Sequence, residues 1–314
     1  MSKLACIFPG QGSQSTGMGL DLNNQHAHAK ELFAQIDNHA GRSLSELCFN
    51  GPDEELKKTI NTQPTILAAS LVAWHCYKQA KGPMPHFVAG HSLGEFTALV
   101  ASEALSVEDA VKLVSVRARL MEECPKGAMS AILGSGKEAI AAACQQASQD
   151  TGKVVIIANY NTREQLVISG DLQAVERAGE LIKTAGGKVI PLPVGGAFHS
   201  PLMESAAIEF AQHISKANIK DAVIPVVQNF DAVHATASGA LREKLIKQMP
   251  NSVRWCDTIE YLLNQGVDTF VEIGPGKALA GMVKKIDRSA KVHNVSDAES
   301  LKSTIEALKE LAIL

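Results

Sequence analysis

The chain has 314 residues, of which 46% are hydrophobic and 20% are charged. This composition excludes a disordered, collagen-like or coiled-coil protein. The formal net charge of −3 and the aromatic content of 4% argue against a protein that binds nucleic acid, because such binding depends on basic and aromatic surface.

Membrane insertion and export are not predicted either. The longest apolar run without a formal charge covers residues 66–76, well below the ~20 residues that a membrane-spanning helix needs. The N-terminus lacks the apolar region and cleavage site of a signal peptide. The six cysteines are scattered, without a C-x-x-C pair, which favours reduced thiols over disulfides or zinc. We therefore predict a cytoplasmic protein without a metal site or a membrane partner.

Most of the chain shows short apolar runs before Gly-rich turns, followed by helical patterns. Strands are predicted at Leu4–Phe8, His86–Ala89 and Thr269–Ile273. Helices are predicted near residues 25–40, 53–60, 63–81, 94–104, 106–122, 203–216, 240–248 and 256–265. Strands that alternate with helices predict an α/β fold with a mostly parallel sheet covered on both faces.

Residues 129–194 follow a different order. Their pattern predicts a strand at 129–133, a helix at 137–149, strands at 154–159 and 165–169, a helix at 172–185 and a strand at 188–193. This βαββαβ order is typical of a ferredoxin-like unit. We predict a large subdomain from residues 1–127 and 195–314, a small inserted subdomain from residues 128–194, and a ligand cleft between them.

A candidate nucleophile follows the predicted strand at 86–89. A G-x-S-x-G motif occurs there as Gly90-His91-Ser92-Leu93-Gly94. A serine at such a strand-to-helix turn sits in strained backbone, and the flanking glycines let neighbouring chain approach closely. Its hydroxyl faces a helix N-terminus, whose N–H groups stabilise a developing oxyanion. Ser92 is predicted to be a nucleophile; a serine that only caps the helix is the alternative.

A serine nucleophile needs a base, and His199 is the predicted one. It lies in a Gly-rich loop, Gly195-Gly196-Ala197-Phe198-His199-Ser200-Pro201, where the inserted unit returns to the large one. A surface histidine is the alternative interpretation. His91 adjoins Ser92 but points to another side of the turn. No carboxylate has a spacing that identifies a third triad member, so a backbone or amide carbonyl can orient the imidazole.

Two further features bear on substrate binding. Arg117 has apolar helical neighbours, and a buried arginine requires an anion such as a carboxylate. Arg119 lies on another helix face, and the alternative is that both are solvated. The loop Gly10-Gln11-Gly12-Ser13-Gln14 lacks the third glycine of a dinucleotide fingerprint. It still offers a backbone N–H as an oxyanion donor opposite that of Leu93.

Taken together, these motifs resemble a known family. In chain order they are residues 10–14, Gln63-Pro64, Gly90-His91-Ser92-Leu93-Gly94-Glu95, Arg117, residues 195–200 and Gly274-Pro275-Gly276. They resemble the malonyl-CoA:acyl carrier protein transacylases, acyltransferases of bacterial fatty acid synthesis, over essentially the whole chain. The resemblance implies a hydrolase-like large subdomain with a ferredoxin-like insertion. It also implies transfer of malonyl from malonyl-CoA to acyl carrier protein, by a monomer, without a cofactor.

The resemblance also implies roles for individual residues. It makes Ser92 the nucleophile, His199 the general base and acid, and Arg117 the ligand of the malonyl carboxylate. The oxyanion donors would be the backbone N–H groups of Gln11 and Leu93, and the backbone carbonyl of Gln248 would accept from His199. Weaker assignments are cleft contacts by Gln63, Phe198, Asn159 and Asn161. For docking of the acidic carrier we predict Lys277, Lys284, Lys285 and Arg288; a solvated helix face is the alternative.

Two departures from the family pattern concern the site. Ser252 stands where the family usually has proline, and the proline here is Pro250, so the loop that holds Gln248 is expected to differ in shape. The turn at residues 161–165 lacks the small residues common there. Three alternatives to a fatty acid synthesis enzyme stay open: a polyketide synthase acyltransferase, a serine thioesterase or hydrolase, and a carrier-binding module without catalysis.

Overall fold

A computed structural model describes residues 2–311 of the chain. Within these residues lie ten strands: β1 (Lys3–Phe8), β2 (Phe87–Gly90), β3 (Ala128–Leu133), β4 (Val155–Tyr160), β5 (Gln165–Gly170), β6 (Lys188–Pro191), β7 (Val226–Val227), β8 (His234–Ala235), β9 (Val267–Ile273) and β10 (Lys291–Val295). They form a six-stranded sheet in the order β10-β9-β1-β2-β7-β8 and a four-stranded sheet in the order β4-β5-β3-β6.

The α-helices of the described residues surround these sheets. They are α1 (Leu20–Gln25), α2 (Ala27–Ala40), α3 (Leu44–Asn50), α4 (Asp53–Leu56), α5 (Thr59–Gln79), α6 (Gly94–Ala101), α7 (Val107–Glu122), α8 (Lys137–Thr151), α9 (Leu172–Thr184), α10 (Glu204–Lys216), α11 (Ser238–Gln248), α12 (Trp255–Asn264), α13 (Ala278–Ile286) and α14 (Ala298–Glu310). A short 3₁₀-helix at Pro201–Met203 precedes α10.

The large sheet is buried on both faces. Its strands run parallel except for β8. Along β1, Leu4, Cys6 and Phe8 belong to one apolar cluster, whereas Ala5 and Ile7 belong to another. Because side chains alternate between the two faces of a strand, these two clusters lie on opposite sides of the sheet. The predicted fold class is confirmed in this part of the chain.

The small antiparallel sheet follows the order β3, α8, β4, β5, α9, β6, which is the predicted ferredoxin-like βαββαβ order. Its own apolar core joins one face of the sheet to α8 and α9. The sheet lies within residues 128–191, inside the stretch predicted as an insertion. The subdomain division at 127/128 and 194/195 itself stays a prediction.

The helices near the N-terminus differ from the sequence prediction. The helix predicted near 25–40 is α2, and a separate helix that was not predicted, α1, ends just before it at Gln25. The helix predicted at 63–81 begins at Thr59 and contains Pro64. Proline has no N–H for the carbonyl four residues earlier, and that carbonyl, of Ile60, instead accepts from Arg42 Nη2 at 2.7 Å. A tertiary hydrogen bond therefore replaces the helical bond that Pro64 cannot make.

Candidate active site

Ser92 lies on a sharp turn between β2 and α6. Its φ angle is 51°, in the left-handed region, which is strained for a residue other than glycine. A Cβ at Gly90 would overlap the backbone of Gly94, and one at Gly94 would overlap the Phe8 carbonyl at the end of β1. Only glycine at both positions lets strand and helix approach this closely. Ser92 therefore lies at the tip of the tight turn between them.

His199 is 3% exposed and also has a left-handed backbone, with φ 55°. Its Nε2 atom lies 2.7 Å from Ser92 Oγ. Its Nδ1 atom lies 3.2 Å from the Gln248 carbonyl oxygen and 3.1 Å from that of Asn251. Because carbonyl oxygens only accept, Nδ1 carries the proton and Nε2 is free to accept from the serine hydroxyl. The structure thus brings together the predicted nucleophile, the predicted base and the predicted carbonyl.

Burial, and after it the positive charge of Arg117, lowers the pKa of His199 to about 3. The hydrogen bond to the Gln248 carbonyl acts in the opposite direction, because it stabilises the ring proton. The imidazole is therefore neutral at physiological pH. An anion beside Arg117 would weaken the effect of the guanidinium and raise the pKa of this base.

Arg117 is 1% exposed on α7. It donates to Gln63 Oε1 at 2.6 Å, to Gln248 Oε1 at 3.0 Å and to Ser92 Oγ at 3.0 Å. All the ion pairs found within residues 2–311 lie elsewhere, and Arg117 Nε has no hydrogen-bond partner there. Burial lowers the pKa of Arg117 to about 10, so the guanidinium stays charged. The buried Glu95 carboxylate opposes this effect without forming an ion pair, and the hydrogen bonds of the guanidinium all go to neutral groups. A buried cation held in this way is prepared to receive an anion.

Gln11 and Leu93 line a cavity of about 140 Å³ together with Ser92 and Arg117. The backbone N–H of each has no acceptor within residues 2–311. Two free donors beside a nucleophile are what a tetrahedral oxyanion requires.

The cavity lies between the two sheets, as predicted for a ligand cleft. Asn159 on β4 and Asn161 just after it line the cavity, and Phe198 lines it from the histidine loop. Asn161 Oδ1 also lies 2.8 Å from His91 Nε2, so this ring nitrogen pairs with Asn161. Gln63 and Gln248 do not line the cavity, because both lie behind Arg117 and bind its guanidinium. For Gln63 the predicted cleft contact is therefore indirect.

Sequence reasoning missed several residues of this site. Met121 lies one helical turn after Arg117 and lines the same cavity, so helical periodicity was the available signal. The carbonyl of Asn251 belongs to the loop after α11, where no motif marks it. In that loop Ser252 Oγ donates to the Ile157 carbonyl of β4 at 2.7 Å. The serine that departs from the family pattern therefore ties this loop to the small sheet.

The four predicted docking cations are exposed at α13. Lys277 precedes the helix, Lys284 and Lys285 lie in its last turn, and Arg288 follows it. Near the helix start, Gly274 approaches Pro9 and Gly276 approaches Ser13. These contacts place the beginning of α13 beside the loop that carries Gln11. A docking role for the four cations stays a prediction.

A family model described as the acyl transferase domain matches residues 5–311. The chain belongs to this acyl transferase family. This acyltransferase is 45% identical over 314 residues to the malonyl CoA-acyl carrier protein transacylase of Bacillus subtilis (strain 168), with 99% of this chain and 98% of the relative covered. The resemblance inferred from the motifs is confirmed.

Solved structures agree with the family assignment. The acyltransferase matches the malonyl CoA-acyl carrier protein transacylase from Coxiella burnetii with a TM-score of 0.95 and 40% identity, covering 98% of each chain. It also matches a malonyl-transacylase solved with its type II polyketide synthase acyl-carrier protein, with a TM-score of 0.94 and 39% identity, covering 98% of this chain and 100% of the other. The α/β fold with its second, antiparallel sheet is shared with these proteins.

Within residues 2–311, no helix is long and apolar enough to cross a membrane. The same residues contain no group of three His, Cys, Asp or Glu side chains arranged to hold a metal ion.

Proposed function

We propose that this acyltransferase moves a malonyl group from malonyl-CoA to the phosphopantetheine thiol of acyl carrier protein, through a malonyl ester on Ser92. The observation that carries the proposal is the position of Arg117, whose Nη2 lies 3.0 Å from Ser92 Oγ. A carboxylate bound there sits close to the acyl carbonyl under attack. Malonyl, in which one methylene separates the two groups, has the required length.

In the first half-reaction, His199 Nε2 takes the proton of Ser92 Oγ as the oxygen attacks the thioester carbonyl. The N–H groups of Gln11 and Leu93 donate to the oxyanion. When the tetrahedral intermediate collapses, the C–S bond breaks and His199 returns the proton to the CoA sulfur. Malonyl remains as an ester on Ser92. CoA is a substrate here, and no cofactor takes part.

In the second half-reaction the carrier thiol gives its proton to His199 and attacks the ester carbonyl. The C–O bond breaks and Ser92 recovers the proton from the imidazole. Every residue used belongs to one chain, which supports a monomer as the working unit. The cytoplasmic location predicted from the sequence would give the enzyme access to CoA thioesters and the carrier.

Arg117 also supplies selectivity. Acetyl-CoA would leave its buried charge without an anion, and leaving a buried charge uncompensated costs about 3–5 kcal/mol. The malonyl carboxylate would also reduce the effect of Arg117 on His199 and so raise the pKa of the base. Binding of the correct substrate would thereby increase the basicity that the reaction needs.

The decisive experiment is covalent labelling with radioactive malonyl-CoA, followed by mapping of the modified peptide. We expect one labelled peptide containing Ser92, no label in Ser92→Ala, and normal label in Ser215→Ala, an exposed serine on α10. A labelled Ser92→Ala protein would reject the nucleophile. CoA release without carrier at the rate seen with carrier would instead indicate a hydrolase.

One observation favours a second pathway for the same chemistry. A structural neighbour at a TM-score of 0.94 is solved with a type II polyketide synthase acyl-carrier protein. A fatty acid synthesis role is the one implied by the relatives named malonyl CoA-acyl carrier protein transacylase. Comparison of kcat/KM for fatty acid and polyketide carrier proteins distinguishes the two pathways.

A further inference from the structure

The side chain of Asn229 holds the turn that carries Ser92. Its Oδ1 atom accepts from the Ser92 backbone N–H at 2.6 Å, and its Nδ2 atom donates to the Gly90 carbonyl at 2.7 Å. Because the N–H only donates and the carbonyl only accepts, these two bonds fix the orientation of the amide. One buried side chain, 1% exposed, therefore contacts the turn both before and at the serine.

Asn229 is itself held from two sides. Its backbone N–H donates to Glu95 Oε2 at 2.8 Å, and Glu95 is a fully buried carboxylate of α6, the helix that follows the turn. Its carbonyl accepts from the Arg254 N–H at 3.2 Å, at the end of the loop whose Asn251 carbonyl orients His199. Asn229 thus lies between the serine turn and the loop that supports the histidine.

This arrangement determines which backbone donors remain free. Asn229 occupies the Ser92 N–H, and Gln248 Nε2 donates to the Ser92 carbonyl at 2.9 Å. The N–H groups of Gln11 and Leu93, two residues that line the cavity, have no acceptor in the described part of the chain. Since the turn is held in a left-handed conformation at Ser92, loss of these bonds would let it relax and move the hydroxyl.

We propose that Asn229 is a positioning residue for the nucleophile. Its amide fixes the backbone of Ser92, and this orients Oγ toward His199 and the Leu93 N–H toward the oxyanion. The inference rests on the proposed acylation of Ser92. Displacement of a reacting group by about 1 Å can lower a rate by about 10²-fold. The effect is therefore expected on the chemical step rather than on substrate binding.

The test compares Asn229→Leu with Gln228→Leu in single-turnover malonylation of Ser92. Gln228 is the matched control, because it is also a buried amide, and its Nε2 donates to Glu95 Oε1 at 3.0 Å without contacting the serine turn. We expect Asn229→Leu to malonylate Ser92 about 10²-fold more slowly, with the half-saturating malonyl-CoA concentration changed by less than about threefold. Gln228→Leu should keep its rate within about threefold of the wild type at a similar loss of thermal stability.

Three outcomes separate the two proposals. Absence of label on wild-type Ser92 would defeat the proposed function itself. Equal labelling rates for the wild type and Asn229→Leu would overturn the positioning role alone. Equal losses of malonylation rate in Asn229→Leu and Gln228→Leu would do the same. If Asn229→Leu does not fold, the pair Asn229→Ala and Gln228→Ala is measured in the same way, and the same comparison of rates decides.

Discussion

The protein carries positive charge in two contrasting environments. Arg117 is fully enclosed beside the candidate nucleophile and is held by the neutral amides of Gln63 and Gln248. Lys284 and Lys285, on α13, are exposed, and neither forms a salt bridge within the described part of the chain. The charges have the same sign, but one is shielded from water and the others are not.

Burial separates two functions of positive charge, namely selection of the acyl group at Arg117 and attraction of an acidic partner at α13. In the interior the charge of Arg117 is weakly screened, so the guanidinium discriminates strongly between acyl groups that do and do not carry an anion. On the surface each charge interacts weakly and is screened beyond about 8–10 Å at physiological salt, so the lysines can only attract and orient an acidic partner.

Replacement of Arg117 by alanine should remove the selectivity. We expect kcat/KM for malonyl-CoA to fall by about 10³-fold, because the substrate carboxylate would be buried without a counterion. Acetyl-CoA makes no such contact, so its kcat/KM should change by less than about tenfold. Steady-state rates with both thioesters check this expectation.

Arg119→Ala is the control, since this arginine lies on the solvent side of α7 and pairs with Glu123 and Glu209. It should leave both substrates unaffected. Equal losses of malonyl and acetyl transfer in Arg117→Ala would mean that the arginine supports the fold or the serine rather than the carboxylate.

Gln63→Glu should give Arg117 a permanent counterion. Gln63 Oε1 lies 2.6 Å from Arg117 Nη1, so a carboxylate there pairs with the guanidinium and competes with the malonyl group. We expect the ratio of malonyl to acetyl kcat/KM to fall by about 10–10²-fold. Gln63→Leu supplies no charge and should lower the ratio less. An unchanged ratio in the glutamate variant would show that the anion does not bind at this end of Arg117.

The pH profile of acylation tests the influence of Arg117 on His199. Burial and the guanidinium lower the pKa of His199 to about 3, so the base is neutral throughout pH 5–8. The single-turnover rate should therefore lack the decline near pH 6.5 that an ordinary histidine would produce on acidification. In Arg117→Ala one cause of the lowered pKa is gone. Its acetyl transfer should then lose activity at a higher pH than acetyl transfer by the wild type, and an unchanged profile would contradict the coupling.

Much of the fold and the centre of the site follow from local sequence patterns. Short apolar runs, Gly-rich turns and the βαββαβ order predict the small sheet and strands β1, β2 and β9 of the large one, and G-x-S-x-G identifies Ser92 because the glycines are required by its backbone. Local patterns do not identify the helices α1, α3, α13 and α14 or the strands β7, β8 and β10. The edge strand β10 is only partly buried, and α13 is a short helix of nine residues.

The residues that support the site could not be predicted from the sequence for a different reason. Asn229 contacts Ser92 across 137 positions, and the Asn251 carbonyl contacts His199 across 52. Such partners are brought together only by the parallel order of β1, β2 and β7 and by the loop after α11. A single backbone carbonyl has no side-chain signature, so its role cannot be read from residue type.

The smallest expected effect concerns the surface cations. A Lys284→Glu/Lys285→Glu variant should raise the KM for acyl carrier protein by about 3–10-fold at low salt, because like charges would oppose the acidic carrier. The difference should shrink at high salt, and malonylation of Ser92 by malonyl-CoA should not change. Lys302→Glu/Lys309→Glu, which alters two exposed lysines of α14, is the matched control. If both double variants raise the KM equally, the net charge of the protein attracts the carrier and α13 holds no docking site. Arg117 and the surface lysines would then differ in burial alone.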